Sequence, residues 1–221
     1  KQLASYLVEI KKQPADLLTN QAEGILDNYP VLDKSRIIQL LSRGFLLSQV
    51  IENWHARGIW VISRADEAYP SRLKNRLKEQ SPAILYGCGD VNLLNYGGLA
   101  IVGSRDVDNE LITYTQNIAS LSAEAKKMII SGGAKGVDSA AIYGTLEANG
   151  WACGVLADGL EKAVLNSRNR LALQNSKLVL ISAFDPKSVF NVANAMQRNK
   201  YIYALADAAL VVNSDLNKGG T

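Results

Sequence analysis

The sequence predicts an α/β protein in which a doubly wound, mainly parallel sheet in residues 58–221 is preceded by a small helical domain in residues 1–57. Two observations carry this. From Leu99 onward, short apolar runs alternate with amphipathic helical stretches, the pattern of strands covered on both faces by helices. Before Gly58, the stretches Leu17 to Leu26 and Lys34 to Arg43 show apolar residues at three- and four-residue spacing, which is helical periodicity.

Taken in order, Leu17 to Leu26 and Lys34 to Arg43 read as helices, with Asp33 as an N-cap for the second and Gly44 as its stop. A third, Leu46 to Arg57, ends at Gly58. These helices carry no recognisable chemistry. A structural cap is the plainer reading, and a docking or DNA-contacting module is the alternative. Ile59 to Ser63 and Ala83 to Tyr86 then read as strands, separated by A-Y-P-S-R-L-K, a turn leading into a short helix. Five further strands are expected at Leu99 to Val102, Lys127 to Ile130, Trp151 to Leu156, Lys177 to Ile181 and Ala208 to Val212. Helical patterns follow at Asn109 to Ala125, Val137 to Ala148 and Phe190 to Ala206. A ligand of such a sheet lies beyond the carboxyl ends of its strands.

Composition narrows the function. Hydrophobic residues make up 48% and aromatics 7% of the chain, enough for a sizeable aliphatic core. No apolar run approaches the roughly 20 residues that span a bilayer and no signal-like segment opens the chain, so a cytosolic protein without membrane contact is expected. Cys88 and Cys153 are isolated, which disfavours zinc or a disulfide framework. The net charge of +3 is too small for non-specific coating of duplex DNA, so any nucleic-acid site is local. The chain stops at Lys218-Gly219-Gly220-Thr221, itself the opening of another glycine loop, and is expected to be trimmed there.

The most specific local features are V-G-S-R at Val102 to Arg105 and S-G-G-A-K-G-V-D at Ser131 to Asp138. Each loop follows a strand and opens a helix. Gly103, Gly132 and Gly133 let backbone amides approach a ligand, the helix N-termini add partial positive charge, and Arg105 and Lys135 add formal charge. Ordinary tight βα turns are the competing reading of either loop alone. No G-x-G-x-x-G stands at the first turn and no G-x-x-x-x-G-K-[ST] occurs, which disfavours nicotinamide-dependent and P-loop chemistry. The one histidine, His55, sits in the helical segment. Ser104, Ser131, Asp138 and Asp158 have no visible base and orienter, so no enzyme activity and no cofactor are expected. Arg168-Asn169-Arg170 and Gln197-Arg198-Asn199-Lys200 flank the same expected sheet edge. Such runs are often helix-surface charge, yet with an adjacent aromatic they suit a single strand. Among Phe184, Phe190, Tyr201 and Tyr203, the tyrosines suit the core and Phe190 is the stacking candidate.

At these residues the chain resembles the DNA processing protein A (DprA, or Smf) family. The resemblance runs through G-I-W-V-I-S-R-A-D-E-A-Y-P-S-R-L, P-A-I-L-Y-G-C-G, A-I-V-G-S-R, S-G-G-A-K-G-V-D, G-V-L-A-D-G-L, R-N-K and L-V-V-N-S. It implies a Rossmann-like domain that binds single-stranded DNA in a basic pocket, dimerises, and helps load a RecA-type recombinase, without enzyme activity. Residue by residue, it implies phosphate contacts at Gly103, Ser104 and Arg105, the same pocket for Ser131, Gly132, Gly133 and Lys135, and a further contribution from Arg198, Asn199 and Lys200; Asn169, in Asn169-Arg170-Leu171-Ala172, fits the family's N-x-x-L type position less closely. Two departures stand out. Where the family reads F-P-x-R-N-R this chain has Ala195-Met196-Gln197-Arg198-Asn199-Lys200, so Phe190 would have to replace the stacking ring, and the family's Y-P-x-x-N is Ala163-Val164-Leu165-Asn166. Both suggest a divergent branch, with a component of a phage-defence or toxin-antitoxin system, a nucleotide-binding sensor or enzyme, and an interaction module with a vestigial pocket as alternatives.

Overall fold

The structure, a computed structural model, describes residues 2–19, 22–28 and 33–214. The terminal Lys218-Gly219-Gly220-Thr221 loop lies outside the described residues. The chain divides into two compact units, Lys1–Asn53 and Trp54–Thr221.

The first unit contains α1 (Gln2–Glu9), a 3-10 turn at Pro14–Leu18, α2 (Ala22–Asp27), α3 (Lys34–Leu41) and most of α4 (Gly44–His55). Its core gathers Tyr6, Leu7, Leu17, Ile25 and Leu26, and the Tyr6 hydroxyl donates to the Ile25 carbonyl at 3.1 Å. The helix expected over 17–26 is divided instead. Pro14 with its fixed φ starts an earlier turn, Asp16 accepts the Gln13 amide at 2.8 Å, and the turn closes on the Thr19 hydroxyl, which donates to the Asp16 carbonyl. Asp33 does cap α3, accepting the Arg36 amide at 3.0 Å. Gly44 begins α4 directly after a two-residue turn, so it opens the next helix as well as ending the last.

The second unit runs β1 (Ile59–Ser63), α5 (Ser71–Leu77), β2 (Ile84–Cys88), β3 (Leu99–Gly103), α6 (Asn109–Glu124), β4 (Ile129–Ser131), α7 (Val137–Glu147), β5 (Ala152–Leu156), α8 (Leu160–Leu165), α9 (Ser167–Gln174), β6 (Leu178–Ser182), α10 (Val192–Leu205) and β7 (Ala208–Val212). The seven strands form one sheet in the order β1-β2-β6-β5-β4-β3-β7. Strands β3 to β7 pair in parallel, while β2 is antiparallel to both β1 and β6. The chain steps from β3 through β4 and β5 to β6, then returns to place β7 on the other side of β3. The strand order therefore reverses at β3, and a ligand crevice is expected at that reversal.

The apolar runs are explained by double-sided burial. Along β3, Ala100 and Val102 join a core with Leu73 of α5 and Tyr201, Ile202 and Leu205 of α10, whereas Ile101 joins Ala119, Val137 and Ala141 of α6 and α7. Every residue of β5 and β6 is buried. On the second face α6 and α7 pack closely; the Thr145 hydroxyl donates to the Ala119 carbonyl at 3.1 Å. Asp108 caps α6 by accepting the Leu111 amide at 2.9 Å.

Placement of β7 beside β3 depends on a clasp from α5. Arg72 donates to Asp207 at 2.7 Å, Asp207 accepts the Gly98 amide at 3.0 Å, and Arg76 donates to the carbonyls of Ala204 and Ala206. Gly98 has φ +140°, and a Cβ there would sit 2.0 Å from the Met128 carbonyl oxygen. Gly98→Ala is accordingly expected to lower stability by about 1–3 kcal/mol, read as a fall in the urea midpoint. The hydrogen bond from Arg72 holds the Asp207 carboxyl below its ordinary value. A carboxyl whose folded value is depressed stabilises above its unfolded value, near pH 4, and loses that contribution as pH falls through the folded value. Asp207→Asn should thus be less stable than wild type at neutral pH, with the two urea midpoints converging in acid.

Candidate nucleic-acid interface

Two loops meet at the sheet's reversal point. The first leaves β3 at Gly103, where the backbone approaches so closely that a Cβ would stand 2.0 Å from the Val212 carbonyl oxygen. The Ser104 amide donates to the Asn213 carbonyl at 3.0 Å, and the Ser104 hydroxyl donates to the Asp106 carbonyl at 2.9 Å. This amide, expected to face an anion, instead fastens the loop to the end of β7. Arg105 next to it is exposed.

The second loop leaves β4 at Ser131. That side chain is fully buried, and its hydroxyl donates to the Ile101 carbonyl at 2.6 Å, so Ser131 ties β4 to β3 from beneath the loop. Gly136 has φ +76°, and its lack of a side chain lets the loop lie against the Ser104 and Arg105 carbonyls. The Val137 amide donates to the Ser104 carbonyl at 3.2 Å and joins the two loops. Gly133 and Lys135 are exposed at the outer edge.

Inside the second loop sits Asp138, in the first turn of α7 and only 5% exposed. Its carboxylate accepts the Ala134 amide at 3.4 Å and lies 3.8 Å from the Arg198 guanidinium. The anion held by this glycine loop is the protein's own. Arg198, on α10, is 4% exposed and packs so tightly on Gly132 that a Cβ there would stand 1.4 Å from Nη1. Burial pushes the Asp138 carboxyl up, opposed by the Arg198 charge and by the loop amides of Ala134 and Gly132. Burial likewise lowers Arg198, opposed by Asp138.

The remaining residues of interest divide by position. Phe190, just before α10, is 46% exposed, and the Arg105 guanidinium lies over its ring at 5.0 Å. The structure thus brings together an exposed cation and an exposed ring that lie far apart in sequence. Lys200 is half-buried, with its ammonium 5.3 Å from the Tyr201 ring centroid; Asn199 is half-buried beside it. Of the two tyrosines expected in the core, Tyr201 is there, whereas Tyr203, two positions further along α10 and so on another face of the helix, is exposed. Asn169 stands apart on α9, buried, accepting from the Tyr143 hydroxyl at 3.0 Å and donating to the Ala163 carbonyl at 2.9 Å. His55 is exposed on α4. The sequence reading considered Asp138 only as an acid/base candidate and missed its bond to the loop. The available signal was an acidic residue at the second position of a helix that opens on a glycine loop, where the helix N-terminus favours a carboxylate.

Fold and site together define a Rossmann-like α/β protein whose strand-reversal edge carries an exposed Arg–Phe stack, an exposed lysine and two interlocked glycine loops. The family model for DNA recombination-mediator protein A matches residues 60–221, and the chain belongs to that family. It is 28% identical over 178 residues to DNA processing protein DprA of Bacillus subtilis, covering 78% of this chain and 58% of that protein. It is also 28% identical over 156 residues to DNA processing protein DprA of Streptococcus pneumoniae, covering 70% and 54%. The chain therefore spans a little over half the length of these relatives. The crystal structure of the Streptococcus pneumoniae protein superposes with a TM-score of 0.71 at 20% identity, covering 98% of this chain and 72% of that one. A DNA processing protein A structure from Helicobacter pylori, described for its single-stranded DNA binding mode, gives 0.59 at 22% identity, covering 73% and 72%. Among the described residues no helix is long and apolar enough to cross a membrane.

Removing one member of a buried ion pair leaves the other charge stranded. Asp138→Ala should cost about 3–5 kcal/mol. The double variant Asp138→Leu with Arg198→Met should recover much of that loss in urea unfolding, whereas equal losses in both would show that the pair does not hold the loop.

Proposed function

We propose that the protein is a single-stranded DNA-binding recombination mediator of DprA type, acting without enzyme chemistry of its own. The observation that carries this reading is the Arg105 guanidinium over the exposed Phe190 ring at the sheet's reversal point. A cation for the backbone and a flat ring for a base are what a strand with exposed bases needs. Lys135 and Gly133 extend the same edge. The Helicobacter pylori neighbour, described for its binding of single-stranded DNA, supports the same class of ligand.

On this reading Arg105, Lys135, Phe190 and Lys200 face the strand, with Gly103, Ser104, Gly132, Gly133 and Asn199 shaping the surface beneath them. Ser131 and Arg198 act from below, because their polar atoms point inward, while Asn169 stands apart on α9 and does not support this surface. Asp138 inside the second loop weighs against a mononucleotide phosphate at the same place, since two anions would compete for the same amides. The mediator role, with homodimerisation and delivery of the strand to a RecA-type recombinase in the cytoplasm, extends the proposal on the strength of family membership.

Phosphate contacts position a strand without reading its sequence, so affinity for oligothymidylate should fall with salt at a log–log slope of roughly −0.7 per neutralised phosphate. Arg105→Ala should weaken binding and reduce the slope by about that amount, measured by fluorescence anisotropy at several salt concentrations. Phe190→Ala should weaken binding by about 1–3 kcal/mol and leave the slope in place. Unchanged affinity and slope for Arg105→Ala would remove the site from this face.

A further inference from the structure

On the α7 side of the second glycine loop lies a cavity of about 130 Å³. Its apolar lining comes from Ile142 of α7, Leu156 of β5, Leu180 of β6 and Ala163 of α8. Gly133, exposed at the loop's edge, lines it too. The cavity therefore shares a residue with the loop that carries Lys135.

Its size and polar groups restrict what fits. An apolar cavity of roughly 150 Å³ holds one benzene ring, so this one suits a single six-membered ring and is too small for a bicyclic ring or a whole nucleotide. Tyr143 and Asn169 are bonded to each other, and Asn169 also donates to Ala163, which fixes that wall. Asn166 is different. Its Oδ1 accepts the Arg168 amide at 3.0 Å as the N-cap of α9, and this orients the exposed side chain while leaving Nδ2 as a donor at the cavity. The Ser139 hydroxyl donates to the Ala134 carbonyl at 2.9 Å and retains its capacity to accept. Arg168 packs over the outer side of the Tyr143 wall, 3.6 Å from the ring centroid, with its charge paired to the Glu147 carboxylate at 3.5 Å.

We propose that this cavity takes one unstacked pyrimidine base of the bound strand, with Asn166 Nδ2 donating to a ring carbonyl. The inference rests on the single-stranded DNA reading above. It adds a second contact, separate from the Arg105–Phe190 stack, formed by α7, α8 and α9. The carbonyl between the two ring nitrogens is common to cytosine and thymine, so the site favours pyrimidines without choosing between them.

The test uses oligothymidylates carrying 4-thiothymidine at successive positions, irradiated on the protein, with the crosslinked residue mapped by mass spectrometry. Crosslinking to Tyr143 or Ile142 is expected. An abasic residue at the crosslinking position should weaken binding roughly tenfold, the scale of one base contact. Ile142→Phe and Ala163→Leu fill the cavity from different walls and should abolish the crosslink while salt-dependent binding persists; Asn166→Ser keeps the cap acceptor, removes the amide donor and should weaken binding. Circular dichroism melts identify any variant that fails to fold, and the wild-type crosslink and abasic strand decide the matter without the variants. Binding that depends on Arg105 with no crosslink in this cavity and no abasic penalty overturns the base site alone. No binding of oligonucleotide by the wild type overturns the functional reading itself.

Discussion

The buried pair between Asp138 and Arg198 is the constraint on which the carboxyl edge of the sheet depends. Asp138 belongs to α7, packed on one face, and Arg198 to α10, on the other. Their contact at 3.8 Å crosses the edge of the sheet and passes the backbone of Gly132. Both side chains are almost wholly removed from water, and desolvating two charges costs several kcal/mol each before their attraction is counted. Such a pair is a weak source of net stability; at 3.8 Å it is too long for a hydrogen bond and leaves Arg198 Nε and Nη1 without a hydrogen-bond partner, so it acts through charge and through packing against Gly132. Gly132 has no room for a side chain, and the loop amides turn inward to the carboxylate. The helices on opposite faces are thereby held in register at the point where the strand order reverses.

That internal pairing separates two kinds of charge that look alike in the sequence. Arg198 is neutralised within the protein, and its guanidinium supports the loop from below. Arg105 and Lys135 stand outside, exposed to solvent. A net charge of only +3 is consistent with recognition by a few placed cations in place of a broad basic field. Placement comes from the interlocked loops: Ser104 bonded to the end of β7, and Val137 bonded to Ser104. Arg105 follows directly from this anchored turn.

How much of this was legible in the sequence depended on the range of the interaction. Strands buried on both faces announce themselves as continuous apolar runs, and all seven were found within two residues of their ends. Asp33 before α3 was legible because capping is local. The helix over 17–26 was misread because periodicity cannot see that the turn opened by Pro14 ends before α2 begins. Arg198 sits in a polar run that reads as helix surface, and its burial depends on a carboxylate contributed by a distant helix. The same holds for Asn169, whose run of arginines suggests a basic surface while its own amide is turned into the protein. Phe190 was singled out as a ring close to a basic run, but its exposure and its meeting with Arg105 are tertiary facts.

The geometry also bears on how such a surface would distinguish a single strand from a duplex. Phosphates are present in both, so Arg105 and Lys135 alone would discriminate little. Rings and ring-sized cavities behave differently, since a base can reach Phe190 or the space beside Asn166 only after leaving its stack, at a cost of a few kcal/mol in a duplex. In a flexible single strand most of that cost is absent. Selectivity for the single-stranded state would then follow from where the flat surfaces lie, without a base-specific contact. On the proposed reading, the phosphate cations would set how strongly and how salt-sensitively a strand is held, while the apolar elements would decide which form of nucleic acid can be held at all.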